Sequence, residues 1–193
     1  AETGARALTT AVVEQLVRDF IAAARRAEQA GFQGVELHGA HGYLLAQFLD
    51  AEHNQRSDRY GGSLDNRTRV LFEVIAGIRA TTAPGFQLGL RLSPERFDIR
   101  MSEALALAQQ VMAGGQIDYL DMSLWDCFKP PQDPDYADRP LIAHFAALPR
   151  HGTKLGVAGK IIDAATAQRC LDAGADFVLI GRGAMLHHDF ARR

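Results

Sequence analysis

Cysteine and long apolar segments are scarce in this sequence. Its 193 residues include two cysteines, Cys127 and Cys170, which are too few for a disulfide framework and favour free thiols in a reducing compartment. No apolar run approaches the ~20 residues that a membrane helix needs. The first six residues also lack the basic segment and apolar stretch of a secretory signal. These absences predict a cytoplasmic protein without a membrane partner.

A charge excess of either sign is missing as well. The chain has 21 Lys+Arg and 23 Asp+Glu, a formal net charge of −2, so it lacks the electrostatic footprint of a nucleic-acid-binding protein. Its 47% hydrophobic and 23% charged residues are typical of a globular protein. The length predicts one domain, residues 1–193.

Helical and extended patterns alternate along the chain. We predict long helices over residues 10–30, 64–80, 103–113 and 163–173, and short ones over 43–49, 141–148 and after 183. We predict strands over residues 34–38, 88–92, 119–123, 154–158 and 177–180. Thr9 or Thr10, Ser102 and Asp163 are the expected caps of three of the long helices. Strands separated by helices predict a parallel sheet, closed as a barrel or open and doubly wound.

The strand count limits the barrel interpretation. A complete (β/α)8 barrel takes about 250 residues and eight strands. This sequence offers five strands and begins with a helix. A barrel would therefore be represented by about its last five βα units, and some three strands would be missing at the N-terminus.

The segment after the first predicted strand is the richest in reactive side chains. It contains His38, His41 and Tyr43, at the strand end where parallel α/β folds place their sites. Two imidazole N–H groups could polarise one carbonyl oxygen. A tyrosine hydroxyl, whose ordinary pKa is about 10, could donate a proton. The alternatives are a structural histidine with Tyr43 in the core, or a His-x-x-His metal site. The metal site has no obvious third ligand close by, although Glu36 and Asp121 occupy strand positions.

Arg91 is an unusual residue for an apolar strand, since Leu90 and Leu92 flank it. A buried guanidinium requires a partner. That partner could be an anionic cofactor ring or a phosphate. An ion pair with Glu36 or Asp121 explains the arginine equally well.

Small residues follow the last two predicted strands. Gly181 and Arg182 precede a short helix, and Ala158 and Gly159 end the strand before it. Exposed backbone N–H groups, a helix N-terminus and an arginine are suited to a phosphate. Turn glycines and a solvated arginine are the alternative.

Two other segments carry less chemistry. The polar residues 54–63 are expected to fasten a loop through side chain–backbone hydrogen bonds. Trp125, Cys127 and Phe128 follow a strand and could line a substrate pocket or cover the rim. Cys127 has no neighbouring base in the sequence, which argues against a nucleophile.

Four segments resemble the Old Yellow Enzyme family of flavin-dependent ene-reductases. They are residues 31–45 (GFQGVELHGAHGYLL), 54–67 (ending YGGSLDNR), 90–94 (LRLSP) and 175–182 (ADFVLIGR). The segments follow the family's order and span nearly all of the chain. The resemblance implies a (β/α)8 barrel with FMN, reduced by NADH or NADPH, and an activated alkene as the small-molecule substrate.

The resemblance also implies roles for the residues that match the family's motifs. His38 and His41 would bind the activating oxygen of an α,β-unsaturated carbonyl, and Tyr43 would protonate Cα while FMN delivers hydride to Cβ. With the motifs taken together we predict no metal.

The same resemblance implies the cofactor contacts. Arg91 would contact the pyrimidine end of FMN. The phosphate would be held by Gly181 and Arg182, with Ala158 and Gly159 as the second phosphate loop.

Two departures from the family favour an alternative. The family's first strands are absent, and Val-Ala-Gly-Lys stands at residues 157–160 where a Gly-Gly pair is more usual. The alternative is a catalytically incomplete half-barrel, which needs a missing N-terminal segment or a partner chain to bind flavin. A homo-oligomer is a further possibility for the chain.

Overall fold

The centre of the molecule is a parallel sheet of five strands. The computed structural model describes residues 6–187 and residue 189. The strands are β1 (Gly34–Gly39), β2 (Gln87–Leu92), β3 (Tyr119–Ser123), β4 (Lys154–Ala158) and β5 (Phe177–Val178). They lie side by side in chain order. A doubly wound sheet reverses its strand order at a switch point, whereas a barrel does not, so this order favours the predicted barrel.

Helices precede, separate and follow the strands, and they cover one face of the sheet. They are α1 (Thr10–Gln29), α2 (Leu44–Leu49), α3 (Leu64–Thr81), α4 (Met101–Ala113), α5 (Leu141–Ala146), α6 (Ala164–Asp172) and α7 (Arg182–Leu186). Side chains alternate across a strand, and the leucines of β2 at positions 88, 90 and 92 are all buried in the core that the helices complete. The opposite, concave face carries the polar and aromatic side chains.

Most helix boundaries agree with the predicted caps. The Thr9 hydroxyl accepts from Val12 N at 3.3 Å, and Asp163 Oδ1 accepts from Thr166 N at 2.7 Å. The prediction for α4 is wrong, because this helix starts at Met101 after an extended Arg100 and has no side-chain cap. Strand β5 is also shorter than predicted, since its paired residues end at Val178. The chain still donates from Leu179 N to Val157 O at 2.9 Å.

Two glycines leave room for aromatic rings on the concave face. A Cβ atom on Gly89 would lie 2.0 Å from Tyr119 Cζ, and one on Gly156 would lie 2.4 Å from Phe177 Cε2. The two rings meet edge to face with centroids 5.5 Å apart. Alternation of large and absent side chains in one layer is how a barrel interior fills.

The polar loop before α3 is fastened by its own side chains, as the sequence predicts. Asn54 Nδ2 donates to the carbonyls of Phe48 at 2.7 Å and Tyr60 at 2.9 Å. Arg56 Nε donates to Asp58 Oδ1 at 2.9 Å. These hydrogen bonds explain why the loop is rich in polar residues, and no catalytic role is needed to explain them.

The sheet has two free edges within the described part of the chain. Strand β1 pairs with β2 alone, and β5 pairs with β4 alone, so the five strands do not close into a barrel. Among residues 6–187 and 189, no helix has the length and apolar character needed to cross a membrane.

Both cysteines are free and buried. Burial raises the pKa of the Cys127 thiol, which disfavours the thiolate. This agrees with the expectation that Cys127 is not a nucleophile.

Candidate active site

Three aromatic side chains from the β1–α2 connection come together at the carboxyl edge of the sheet. His38 lies at the end of β1, and its ring centroid is 5.0 Å from that of His41 and 5.2 Å from that of Tyr43. The connection turns sharply, with φ of 60° at His41 and 71° at Gly42. Tyr43 is 64% exposed, so the alternative that it packs in the core is wrong. The sequence prediction that these three side chains are neighbours is supported by this geometry.

Two serines from neighbouring strand ends hold His41. The His41 N–H donates to Ser93 Oγ at 3.2 Å, and His41 Nε2 lies 2.8 Å from Ser123 Oγ. The sequence analysis did not single out either serine. Strand alternation gives a signal for Ser123, because residues 119, 121 and 123 share one face of β3.

The environment disfavours the charged forms of both histidines. Burial lowers the pKa of His38 and of His41 below the ordinary value, and the positive charge of Arg91 lowers both further. The neutral form of both rings is therefore favoured. A neutral imidazole has one N–H donor, so each ring offers one hydrogen bond to an electron-rich atom.

Arg91 lies beside His38 on one neighbouring strand and Asp121 on the other. Its Nε is 3.1 Å from Asp121 Oδ2. The ion-pair alternative from the sequence is thus realised with Asp121, because Arg91 pairs with Asp121 in the β2–β3 register whereas Glu36 pairs with Gly89.

This ion pair leaves polar atoms without hydrogen bonds. Within the described residues, neither Arg91 Nε nor either Asp121 carboxylate oxygen has a hydrogen-bond partner, although all three atoms are buried. Burial raises the pKa of Asp121 to about 7, with Glu36 adding to the rise and Arg91 opposing it. A buried donor without an acceptor is a candidate contact for a ligand.

The ends of β4 and β5 present the predicted phosphate residues. Gly181 precedes α7, whose first residue is the exposed Arg182. Among the described residues, the backbone N–H groups of Gly159, Gly181 and Arg182 donate to no other backbone group. Gly159 packs tightly, since a Cβ there would lie 2.9 Å from Asp126 N. Ala158 is the last residue of β4, and its carbonyl accepts from Leu124 N at 2.7 Å.

An aromatic rim lies beside His41. The ring of Phe97 is 6.5 Å from the His41 ring, and the Arg96 guanidinium lies 4.1 Å over Trp125. These residues, with Ser93 and Ser123, line a cavity of about 290 Å³. The sequence left open whether Trp125 lines a pocket or covers the rim, and in the structure it borders this cavity.

The two histidines of the site are not grouped with acids as metal ligands would be. Where the structure describes the chain, the side chains close enough together to hold a metal are Asp50, His53 and Asp98, beyond the end of α2. The hydrogen bond from His53 Nδ1 to Asp50 Oδ2 at 3.0 Å raises the pKa of His53.

The residues present fit FMN. Arg91 brings to the site a positive charge and a buried Nε donor that makes no hydrogen bond, which suits the electron-rich pyrimidine edge of a flavin. The open N–H groups at the ends of β4 and β5 suit its phosphate. Five parallel strands in chain order, separated by helices, are the architecture of part of a (β/α)8 barrel.

Comparison with known proteins identifies the family. A model of the NADH:flavin oxidoreductase / NADH oxidase family matches residues 1–192. The NADH:fumarate oxidoreductase of Klebsiella pneumoniae (strain 342) is 35% identical over 199 residues, 97% of this chain and 21% of that protein. The putative 12-oxophytodienoate reductase 4 of Oryza sativa subsp. japonica is 48% identical over 109 residues, 55% of this chain and 28% of that protein. The chain belongs to the NADH:flavin oxidoreductase / NADH oxidase family.

Solved structures agree with this assignment. The old yellow enzyme homologue from Zymomonas mobilis superposes with a TM-score of 0.78 at 30% identity over 98% of this chain and 53% of that one. Morphinone reductase in complex with tetrahydroNAD gives 0.74 at 32% identity, over 97% of this chain and 51% of that one. The chain therefore spans about half the length of these structures. The predicted family, partial barrel, flavin cofactor and nicotinamide reductant are confirmed at the level of the family.

Proposed function

We propose that the protein is an ene-reductase, which uses NADH or NADPH and FMN to reduce the C=C bond of an α,β-unsaturated carbonyl compound. When bound, FMN supplies the hydride chemistry. The observation that carries the proposal is the cluster of His38, His41 and Tyr43 beside Arg91. The ring centroid of His38 lies 5.0 Å from that of His41 and 5.2 Å from that of Tyr43.

His38 and His41 bind and polarise the substrate. Each neutral ring donates one N–H to the carbonyl oxygen, where negative charge develops as hydride reaches Cβ. Donors fixed before the reaction stabilise such charge without reorganisation. The glycine-rich turn and the two serines that fasten His41 keep its ring in place.

Tyr43 supplies the proton to Cα. Its ring lies beside that of His38, and 64% of the residue is accessible to solvent. Water can therefore return the proton after each turnover. General acid catalysis of this kind contributes about 10²–10⁴-fold.

The remaining residues of the site hold the cofactor in this proposal. Arg91 contacts the pyrimidine end, and its charge is partly offset by Asp121. Ala158, Gly159, Gly181 and Arg182 surround the phosphate. Within the described residues, the outer edges of β1 and β5 are unpaired.

Those open edges also favour the second candidate, a half-barrel that binds flavin only when another segment or chain completes it. In that state the histidines and Tyr43 would have no ring to face. Flavin content and native mass of the purified protein separate the two candidates, since a chain without FMN that takes it up only with a companion supports the second.

Tyr43→Phe tests the proton-donor role. We expect reoxidation of the reduced enzyme by cyclohex-2-enone to slow about 100-fold or more, since the general acid is lost. Reduction by NADH should stay close to wild type, because no proton from Tyr43 is involved. Rapid mixing of each half-reaction under anaerobic conditions measures both rates.

The matched control is Tyr136→Phe, which removes a tyrosine hydroxyl from the 3-10 turn Pro134–Tyr136, outside the site. Both half-reactions should match wild type there. Equal slowing of the two half-reactions in Tyr43→Phe, or an unchanged enone rate, would contradict the assignment.

A further inference from the structure

His41 is restrained at two points by side chains that come from different strands. Its backbone N–H donates to Ser93 Oγ at the end of β2, and its ring nitrogen Nε2 meets Ser123 Oγ, 2.8 Å away, at the end of β3. The left-handed backbone of His41, with φ of 60°, is fixed by the first contact. The ring orientation is fixed by the second.

The contact at Nε2 limits the chemistry of the ring. A neutral imidazole has one nitrogen that donates and one that accepts, whereas a serine hydroxyl can do either. Which nitrogen holds the proton is set by the hydrogen bond that the other makes. Within residues 6–187, Ser123 is the hydrogen-bond partner of this ring, and Nδ1 has none.

We propose that Ser123 is a positioning residue that selects the tautomer of His41. Its Oγ–H donates to Nε2, so the ring proton stays on Nδ1, where it can donate to the substrate oxygen. This inference rests on the proposed function, because the need for a donor at His41 comes from the carbonyl clamp.

The opposite arrangement would disable the clamp. If Nε2–H donated to Ser123, Nδ1 would be a bare acceptor and would repel a carbonyl oxygen. Burial and the charge of Arg91 lower the pKa of His41, so a second ring proton is disfavoured.

The position of Ser123 is set by the sheet. It pairs with Ala158 across β3 and β4, and the next residue anchors the strand end through Leu124 N donating to Ala158 O at 2.7 Å. The hydroxyl therefore approaches His41 from a rigid strand rather than from a loop. Rigid supports of this kind hold a donor in productive geometry.

The tautomer can be read directly in the purified protein by ¹⁵N NMR of the imidazole nitrogens at pH 8, with the His41 signals assigned by their loss in His41→Gln. We expect His41 Nδ1 to be protonated and Nε2 to resonate as an unprotonated, hydrogen-bonded nitrogen. A protonated Nε2 in the wild type would overturn the proposal. This reading needs no turnover and no alkene.

Three variants separate positioning from a structural role. Ser123→Ala should shift His41 toward the Nε2–H tautomer, whereas Ser123→Thr keeps the hydroxyl and should preserve the wild-type signals. Ser102→Ala, on the exposed side of α4, is the matched control and should change nothing. An unchanged His41 tautomer in Ser123→Ala would contradict the proposal.

Ligand affinity gives the second readout. For the flavin-bound protein, a para-substituted phenol should bind roughly tenfold more weakly to Ser123→Ala, as expected from the loss of one hydrogen bond. Ser123→Thr should remain near wild type.

If the tautomer shifts as expected but the wild type reduces no enone, the proposed function fails and the role of Ser123 stands. If the wild type reduces the enone but His41 is the Nε2–H tautomer, the role of Ser123 fails and the proposed function stands.

Discussion

Asp121 is the most deeply buried charged group next to the site. It is 0% exposed, and its carboxylate lies 3.1 Å from Arg91 Nε without forming a hydrogen bond. Burial raises its pKa to about 7 in spite of the arginine. Ionisation of Asp121 near neutral pH therefore changes how strongly the Arg91 charge is neutralised. This alters the electrostatic potential at the two histidines and at a bound flavin ring.

The raised pKa predicts a pH-dependent effect of Asp121→Asn on stability. A carboxyl whose folded-state pKa is raised stabilises the fold below its unfolded pKa, and this contribution is lost as pH rises through about 7. Asparagine does not titrate. The free energy of unfolding of Asp121→Asn relative to wild type should therefore increase between pH 5 and pH 8, by on the order of 2 kcal/mol.

Urea unfolding of the flavin-free protein at the two pH values measures this difference. Asp135→Asn, an exposed acid on the 3-10 turn, is the control and should show no such trend. A stability difference for Asp121→Asn that is flat or falls with pH would show that the carboxyl is ionised throughout.

At the scale of the element, the concave face is shaped by strand register. Gly89 of β2 pairs with Tyr119 of β3, and the tyrosine ring occupies the space above the glycine. The ring is held in turn by Phe177 of β5. This aromatic layer lies one step below Arg91 and Asp121 and supports the floor of the site.

Gly89→Ala should therefore destabilise the protein by roughly 1–3 kcal/mol, because the new methyl group displaces a packed ring. Gly85→Ala is the matched control, since a Cβ there meets nothing within 4 Å. It should be neutral or slightly stabilising. Urea unfolding compares the two, and equal effects at both positions would mean that Tyr119 moves freely.

The same register explains what the sequence could and could not predict. Apolar alternation located all five strands, and the polar strand ends indicated His38, His41 and Tyr43 as neighbours. The partner of Arg91 stayed open between Glu36 and Asp121 because both acids lie on strands next to β2. Register settles it, since Arg91 pairs with Asp121 whereas Glu36 pairs with Gly89.

Contacts between distant segments account for most of what was missed. The serines that hold His41 are 52 and 82 residues away in sequence, and no local pattern links them. The start of α4 was misplaced because Ser102 is a good capping residue by type, whereas the chain already turns into the helix at Met101.

At the scale of the whole molecule, the sheet is an open segment of a barrel. The described strands form the wall that carries the histidine pair, Arg91 and the residues proposed to hold the phosphate, and the family's solved structures are about twice as long. The cytoplasmic location, the single domain over residues 1–193 and a homo-oligomer stay predictions.

The central claim is that this wall forms part of an FMN site at which an activated alkene is reduced. The most direct measurement is the visible absorption spectrum of the purified protein, incubated with FMN and kept anaerobic, during addition of NADH or NADPH and then cyclohex-2-enone. We expect protein-bound flavin whose absorption is lost on reduction and returns with the enone. Protein that retains no flavin, or bound flavin that the enone does not reoxidise, would contradict the account.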